Sequence, residues 1–195
     1  SLKRLQIDYI DLYQSYGGTM EDNIDETIEA YEILLKQGKI RYYGLSSIRP
    51  NVIREFVKKS NIVSVMTQYS LLDRRPEEST LKLLHENNIG VVTRGSVASG
   101  LLVDKPSKPY LNYNEKQIAT AATAVKLVSS DKRNAAQTAI QYVLKNPTIT
   151  SAIVGIRTME QLKEAVAAID TPELNDGEMK ILREAVPVNF YEQHR

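Results

Sequence analysis

The chain contains no cysteine. That excludes disulfides, thiolate nucleophiles and cysteine-ligated metals, and it fits a reducing compartment. Only two isolated histidines are present, His85 and His194, so a histidine-rich metal site is excluded and no metal is expected. No apolar run approaches the ~20 residues that cross a bilayer, and no signal peptide is seen, so a cytoplasmic protein without membrane attachment is expected. An excess of either charge is missing too. The 25 basic and 24 acidic residues are mixed along the chain and leave a net charge of +1, with no footprint for nucleic acid or an anionic membrane. A small molecule is the expected partner. The initiator methionine is also lacking, and Ser1 leads into an expected strand by about Ile7, which reads as a cut.

What is there is a rhythm. Five short apolar runs close on polar or glycine residues, and an amphipathic stretch follows each: 8–14, 40–46, 62–68, 89–94 and 151–155. Strand followed by helix, five times, predicts βα units around a parallel sheet, which places functional residues just beyond the C-terminal ends of the strands. Length predicts one domain over 1–195, or a domain with part missing, and 42% hydrophobic residues suffice for its core. A complete eight-unit barrel typically takes about 250 residues, and five strands leave two open edges. A missing N-terminal segment or a second copy of the chain is therefore expected to cover them.

Spacing predicts the helices. Ile24, Ile28, Tyr31 and Leu35 share one face of a helix ending near Gly38. Pro50 opens a second helix with Val52, Ile53, Phe56 and Val57, and Pro76 a third with Leu81, Leu84 and His85 on its apolar face. The fourth interval holds two helices, 115–128 and 134–144, preceded by a loop over 102–114 that contains two prolines. Thr158 and Gln161 form a capping-box pattern, and 175–178 resembles one at the start of a last helix. Asp8 and Asp11 are expected on opposite faces of a strand, which argues against a carboxylate pair. Asp73, Arg74 and Arg75 before Pro76 read as a turn held by local charge.

Read together, Leu2-Lys-Arg-Leu before the first strand, 38–46, Gln68-Tyr-Ser-Leu-Leu-Asp-Arg, 95–102 and 153–162 resemble the aldo-keto reductase family in order and register. The resemblance covers essentially the whole chain and corresponds to the fourth through eighth βα units of that family's barrel. It implies a partial (β/α)8 TIM barrel of class α/β, five parallel strands with outer helices, the first three units absent. It implies an oxidoreductase using NADPH (NADP) to transfer hydride to an aldehyde or ketone carbonyl. Carried over by position, Ser46 and Ser47 match the pair that binds the nicotinamide carboxamide. On the residues alone, the pair equally reads as a helix cap before Pro50. Arg94 stands where many members carry a ring-stacking aromatic; a guanidinium can stack or pair with pyrophosphate, or simply face solvent. Gly95 and Ser99 fall in the pyrophosphate-crossing loop. Gly155, Arg157, Thr158 and Gln161 match the segment gripping the ribose 2′-phosphate, and a helix N-terminus beside an arginine supports an anion on physical grounds.

The departures from the family pattern carry weight as well. Tyr16 stands where the family's fourth strand ends in a substrate-binding histidine, Met66 replaces a glutamine on the nicotinamide face, and Ala165 an asparagine. The family's catalytic tyrosine, with its aspartate and lysine, belongs to the first three units, and nothing here aligns with them. Carbonyl reduction needs a proton donor at the developing alkoxide, so the chain alone is expected to be a poor catalyst, with Tyr16 as the candidate substitute acid. Two rivals follow: an NADPH-binding or partner-binding protein of the same build without turnover, and a different parallel-barrel enzyme holding a phosphorylated substrate at 155–158.

Overall fold

The computed structural model describes residues Ser1–Arg195. A helical turn α1 (Leu2–Leu5) precedes β1 (Ile10–Tyr16), α2 (Ile24–Lys36), β2 (Ile40–Ser46), α3 (Pro50–Lys59) and β3 (Ser64–Gln68). A 3₁₀ turn (Arg75–Glu78) leads to α4 (Thr80–Glu86) and β4 (Gly90–Arg94). After a second 3₁₀ turn (Ala98–Gly100) come α5 (Glu115–Val128), α6 (Ala135–Leu144), β5 (Ile149–Ile153), α7 (Met159–Ala167) and α8 (Asp176–Glu184). The strands lie in one sheet in the order β1-β2-β3-β4-β5, each reached from the last through helical chain, as a parallel α/β sheet requires. By contacts the chain divides into two compact units: Ser1–Thr67 with Ser79–Val91 and Tyr191–Arg195, and Gln68–Glu78 with Val92–Phe190.

In the first unit, β1 and β2 run in register from Ile10 opposite Ile40 to Tyr16 opposite Ser46, and β2 meets β3 from Gly44 opposite Ser64 to Ser46 opposite Met66. Glycine is needed at 44, since a Cβ there would lie 2.5 Å from the Ser64 carbonyl oxygen. Under the sheet Tyr31 of α2 stacks on Tyr43 of β2 with centroids 5.1 Å apart. The buried Tyr43 hydroxyl donates to Glu32 at 2.8 Å and accepts from the Asn61 N–H at 3.1 Å, so its polar end is satisfied. Val52, Ile53 and Phe56 of α3 complete this core. Asn23 caps α2, and Pro50 sits in the first turn of α3.

In the second unit, α5, α6 and α8 each open with a full capping box: Asn114 with Gln117, Asn134 with Gln137, Asn175 with Glu178. Two buried arginines pin the loops. Arg133 donates to the Val128 and Pro172 carbonyls at 2.7 Å each and to Glu178 at 2.6 Å. Arg74 forks onto Glu77, which also takes the Tyr69 hydroxyl at 2.7 Å. Burial, with Tyr142 and Glu77 nearby, pushes the Tyr69 phenol well above its ordinary range. Thr93 Oγ1, one residue before the end of β4, donates to the Ser151 carbonyl of β5 at 3.4 Å.

Several boundaries differ from the sequence expectation. β1 spans 10–16 instead of 8–14, because its pairing begins where Ile10 donates to the Lys39 carbonyl; the segment before it starts as helix and turns at Gln6 (φ 55°). Asp8 therefore lies outside the strand, and Asp11 pairs with Arg41 in solvent. β3 loses Ile62 and Val63, and β5 covers 149–153, which leaves Gly155 two residues past its end. Pro76 belongs to the 3₁₀ turn, not to a helix start: the Asp73–Arg75 and Arg74–Glu77 ion pairs hold that turn, and α4 begins only at Thr80. His85 is exposed, off the apolar face.

Candidate functional site

The candidate residues fall at strand ends in both units. In the first, Tyr16, Ser46 and Met66 end up side by side through the β1–β2–β3 register. Past β1 the chain turns at Gly17, whose N–H donates to the Ser46 carbonyl at 2.7 Å, and Arg49 donates to the Gly18 carbonyl. Ser47 is buried; its N–H donates to the Met66 carbonyl at 3.0 Å, and its Oγ accepts from the Arg49 N–H at 3.1 Å. The hydroxyl thus braces the entry to α3, which has no side-chain cap of its own, and keeps its hydrogen to donate elsewhere. Tyr16 is 94% exposed. It borders a cleft of about 620 Å³ whose walls include Ser15, Asp22, Thr27 and Phe56.

In the second unit, Arg94 ends β4 with its guanidinium exposed and Nη1 donating to Gln68 Oε1 at 2.6 Å. Gly95 follows at φ +82°, a conformation that favours glycine, and a Cβ there would also press on the Gln68 side chain at 3.3 Å. The turn beyond is strained: Ala98 and Ser99 both hold left-handed conformations, at φ 46° and 58°. Ser99 itself is exposed. Ser96, between Gly95 and that turn, is buried with a hydroxyl that has no hydrogen-bond partner.

The third cluster starts α7 in the same unit. Gly155, Arg157, Thr158 and Gln161 are all exposed. Thr158 Oγ1 accepts from the Gln161 N–H at 3.2 Å, as the capping pattern predicts. The reciprocal bond departs from it: the Gln161 carbonyl oxygen takes the Arg157 N–H at 2.9 Å instead of that of Thr158. Gln161 thereby fixes the backbone of Arg157 while leaving the guanidinium exposed in front of a helix N-terminus. The open amides of the first turn, the helix dipole and a bidentate cation together make a donor set suited to a phosphate.

Sequence reading passed over Gln68, Ser96 and Tyr110. Gln68 closes β3, so the same strand-end rule that picked out Arg94 also points to it. Ser96 and Tyr110 carry no such signal, since their burial and contacts depend on how the loop after β4 folds.

The family model described as "Aldo/keto reductase family" matches residues 1–187. The chain is 50% identical over 204 aligned residues to the uncharacterized oxidoreductase YqkF of Bacillus subtilis, covering all of this chain and 66% of that protein. It is 27% identical to the NADH-specific methylglyoxal reductase of Escherichia coli, covering 94% of this chain and 61% of that protein. Among solved structures, the holo form of aldo-keto reductase AKR11C1 from Bacillus halodurans superposes with a TM-score of 0.89 at 45% identity, covering all of this chain and 64% of that one. The chain thus spans just under two thirds of the length of these relatives. Its βα units form part of the barrel they share, and it belongs to the aldo-keto reductase family.

Proposed function

We propose that the protein is an NADPH-dependent oxidoreductase that reduces an aldehyde or ketone, and that this chain supplies the groups holding the cofactor. The observation that carries the reading is the start of α7, where Gln161 sets the Arg157 backbone and leaves its guanidinium free before an open helix N-terminus. A 2′-phosphate is the part of NADPH that such a donor set would select. One relative is named as NADH-specific, so the preference for the phosphorylated dinucleotide rests on this chain's own Arg157. The buried, unpartnered Ser96 hydroxyl and the close passage at Gly95 fit a pyrophosphate lying along the loop after β4. Ser47, with a hydroxyl hydrogen left to donate, fits a carboxamide oxygen.

When bound, the reduced nicotinamide supplies the hydride for the carbonyl carbon. The oxygen then needs a proton, and within this chain Tyr16 is the candidate donor; its exposure leaves it free to reach a substrate but gives it no neighbour to hold it there. That exposure favours a second reading, a cofactor-binding protein of this family without turnover. One domain over 1–195, a cytoplasmic location and a second copy or N-terminal segment over the open edges belong to the same proposal.

Titration of the chain with NADPH, followed by nicotinamide fluorescence, tests the first reading. Saturable binding that NADH competes with only weakly is expected, and its absence, with binding of a sugar phosphate instead, overturns it. Turnover of an aldehyde panel by the natural protein separates the enzyme from the binding protein, and an unchanged rate in Tyr16→Phe removes Tyr16 as the acid.

A further inference from the structure

Gln68 meets three partners with one amide. Its Nε2 donates to Asp73 Oδ2 at 2.8 Å and to the Tyr110 hydroxyl at 3.0 Å, and its Oε1 accepts from Arg94 Nη1 at 2.6 Å. A carboxylate can only accept and a guanidinium can only donate, so Asp73 and Arg94 together dictate which way round the amide lies. Asp73 is wholly buried and is itself locked by Arg75, through Nε at 2.7 Å and Nη2 at 2.8 Å. Burial, and the nearby Asp73 charge, raise the Tyr110 phenol above its ordinary range, which keeps it neutral as the second acceptor. The contacts therefore run without a break from a buried ion pair, through an amide, to an exposed guanidinium.

We infer that Gln68 is a positioning residue: it holds the Arg94 guanidinium in one orientation at the end of β4 and ties it, through Tyr110, to the long loop that follows. The inference rests on reading Arg94 as a contact to the cofactor. An exposed arginine has many rotamers, and fixing one before the ligand arrives removes that ordering cost from binding. The amide also conveys direction, since its Nε2 is held by Asp73 and its Oε1 is thereby turned to Arg94.

The test is a double-mutant cycle on NADPH affinity, joined to a measurement that needs no ligand. Gln68→Leu removes both faces of the amide, and it is expected to weaken NADPH binding about tenfold, as much as Arg94→Ala does. In the Arg94→Ala background the same change is expected to have no further effect. In ligand-free protein, ¹⁵N relaxation of the Arg94 guanidinium is expected to report a rigid group that becomes mobile in Gln68→Leu. Additive losses in the cycle, or an Arg94 side chain equally rigid in both proteins, overturn the inference. Should Gln68→Leu not fold, Tyr110→Phe removes one anchor of the amide without unpairing Asp73, and a partial rise in Arg94 motion is expected; none would overturn the inference. If the unaltered chain binds no NADPH, the cofactor reading falls, and the guanidinium dynamics alone decide the positioning role.

Discussion

Consecutive helices α6 and α7 begin with the same local grammar and use it differently. Each has a small polar cap whose side chain takes the N–H of a glutamine three residues on, at 3.0 Å from Asn134 and 3.2 Å from Thr158. In α6 that glutamine returns its carbonyl oxygen to the Asn134 N–H, and residues 137–143 are all buried. In α7 it reaches one residue further back, to Arg157, and no residue of the helix is buried. The cap closes α6 upon itself. In α7 it secures a loop in front of the helix and leaves the helix end open. The two are also linked, because Asn134 and Gln137 donate to the side chain and carbonyl of Glu164 at 3.1 and 3.2 Å. α7 is exposed, yet it is seated by the cap of its buried neighbour.

The comparison breaks most severely at Arg133, which precedes the α6 cap. Arg133→Met removes donors from two carbonyls and from Glu178 in a site where the arginine is almost fully buried. A loss of about 3 kcal/mol of stability is expected in urea unfolding. If α7 depends on α6, NADPH binding weakens in step with that loss of structure.

A smaller loss is expected at Glu178, which answers Arg133 from α8. Burial opposes its charge, but the Asn175 N–H and the Arg133 guanidinium hold its carboxyl below the ordinary glutamate range. A depressed carboxylate stabilises the fold above its unfolded value, and that gain is lost as pH falls through the folded value. Glu178→Gln should therefore cost about 1–2 kcal/mol at pH 7, with the gap to the unaltered protein closing below the unfolded value of about 4.3. Urea midpoints measured from pH 7 to 3 check this, and a gap independent of pH would mean that the ion pair contributes nothing through charge.

On the α7 side, Arg157→Ala is expected to leave the urea midpoint in place, since the side chain is exposed and its held group is backbone. NADPH affinity should fall about tenfold, equivalent to about 1.4 kcal/mol, with NADH affinity unchanged. Equal losses for both dinucleotides would remove the 2′-phosphate from the reading.

How much of this was legible in the sequence follows from the range of the interactions. The span of α5 and the capping box at Asn175 were readable because helix periodicity and caps are settled by residues three and four apart, whereas the equivalent box at Asn134 went unread. Strand positions came within two residues, since apolar runs mark a strand but its partner decides where pairing begins. The Gln68–Arg94 bond joins residues 26 apart, and Tyr110 lies 42 from Gln68, so no local pattern could pair them. Pro76 misled because a good first residue for a helix also suits a 3₁₀ turn, and the ion pairs around Asp73 selected the turn. Of the candidate site, the Thr158–Gln161 cap at the start of α7 was readable, whereas the exposure of Tyr16 and the burial of Ser96 depend on packing that a linear reading does not contain.

The finest test separates capping from seating. Thr158→Ala removes the acceptor for the Gln161 N–H, and caps of this type are worth about 1 kcal/mol where a helix must stand on its own. α7 does not stand alone, because Asn134 and Gln137 hold its last turns through Glu164. The loss should therefore sit at the N-terminal turn: global stability falls by about 0.5 kcal/mol or less, while amide exchange speeds up at Gln161 and at Arg157, whose partner is the same glutamine. Thr158→Ser keeps the oxygen and should restore slow exchange. If Thr158→Ala instead lowers stability by a full cap's worth with exchange raised along the whole helix, α7 is held by its own cap after all, and the contrast with α6 reduces to burial alone.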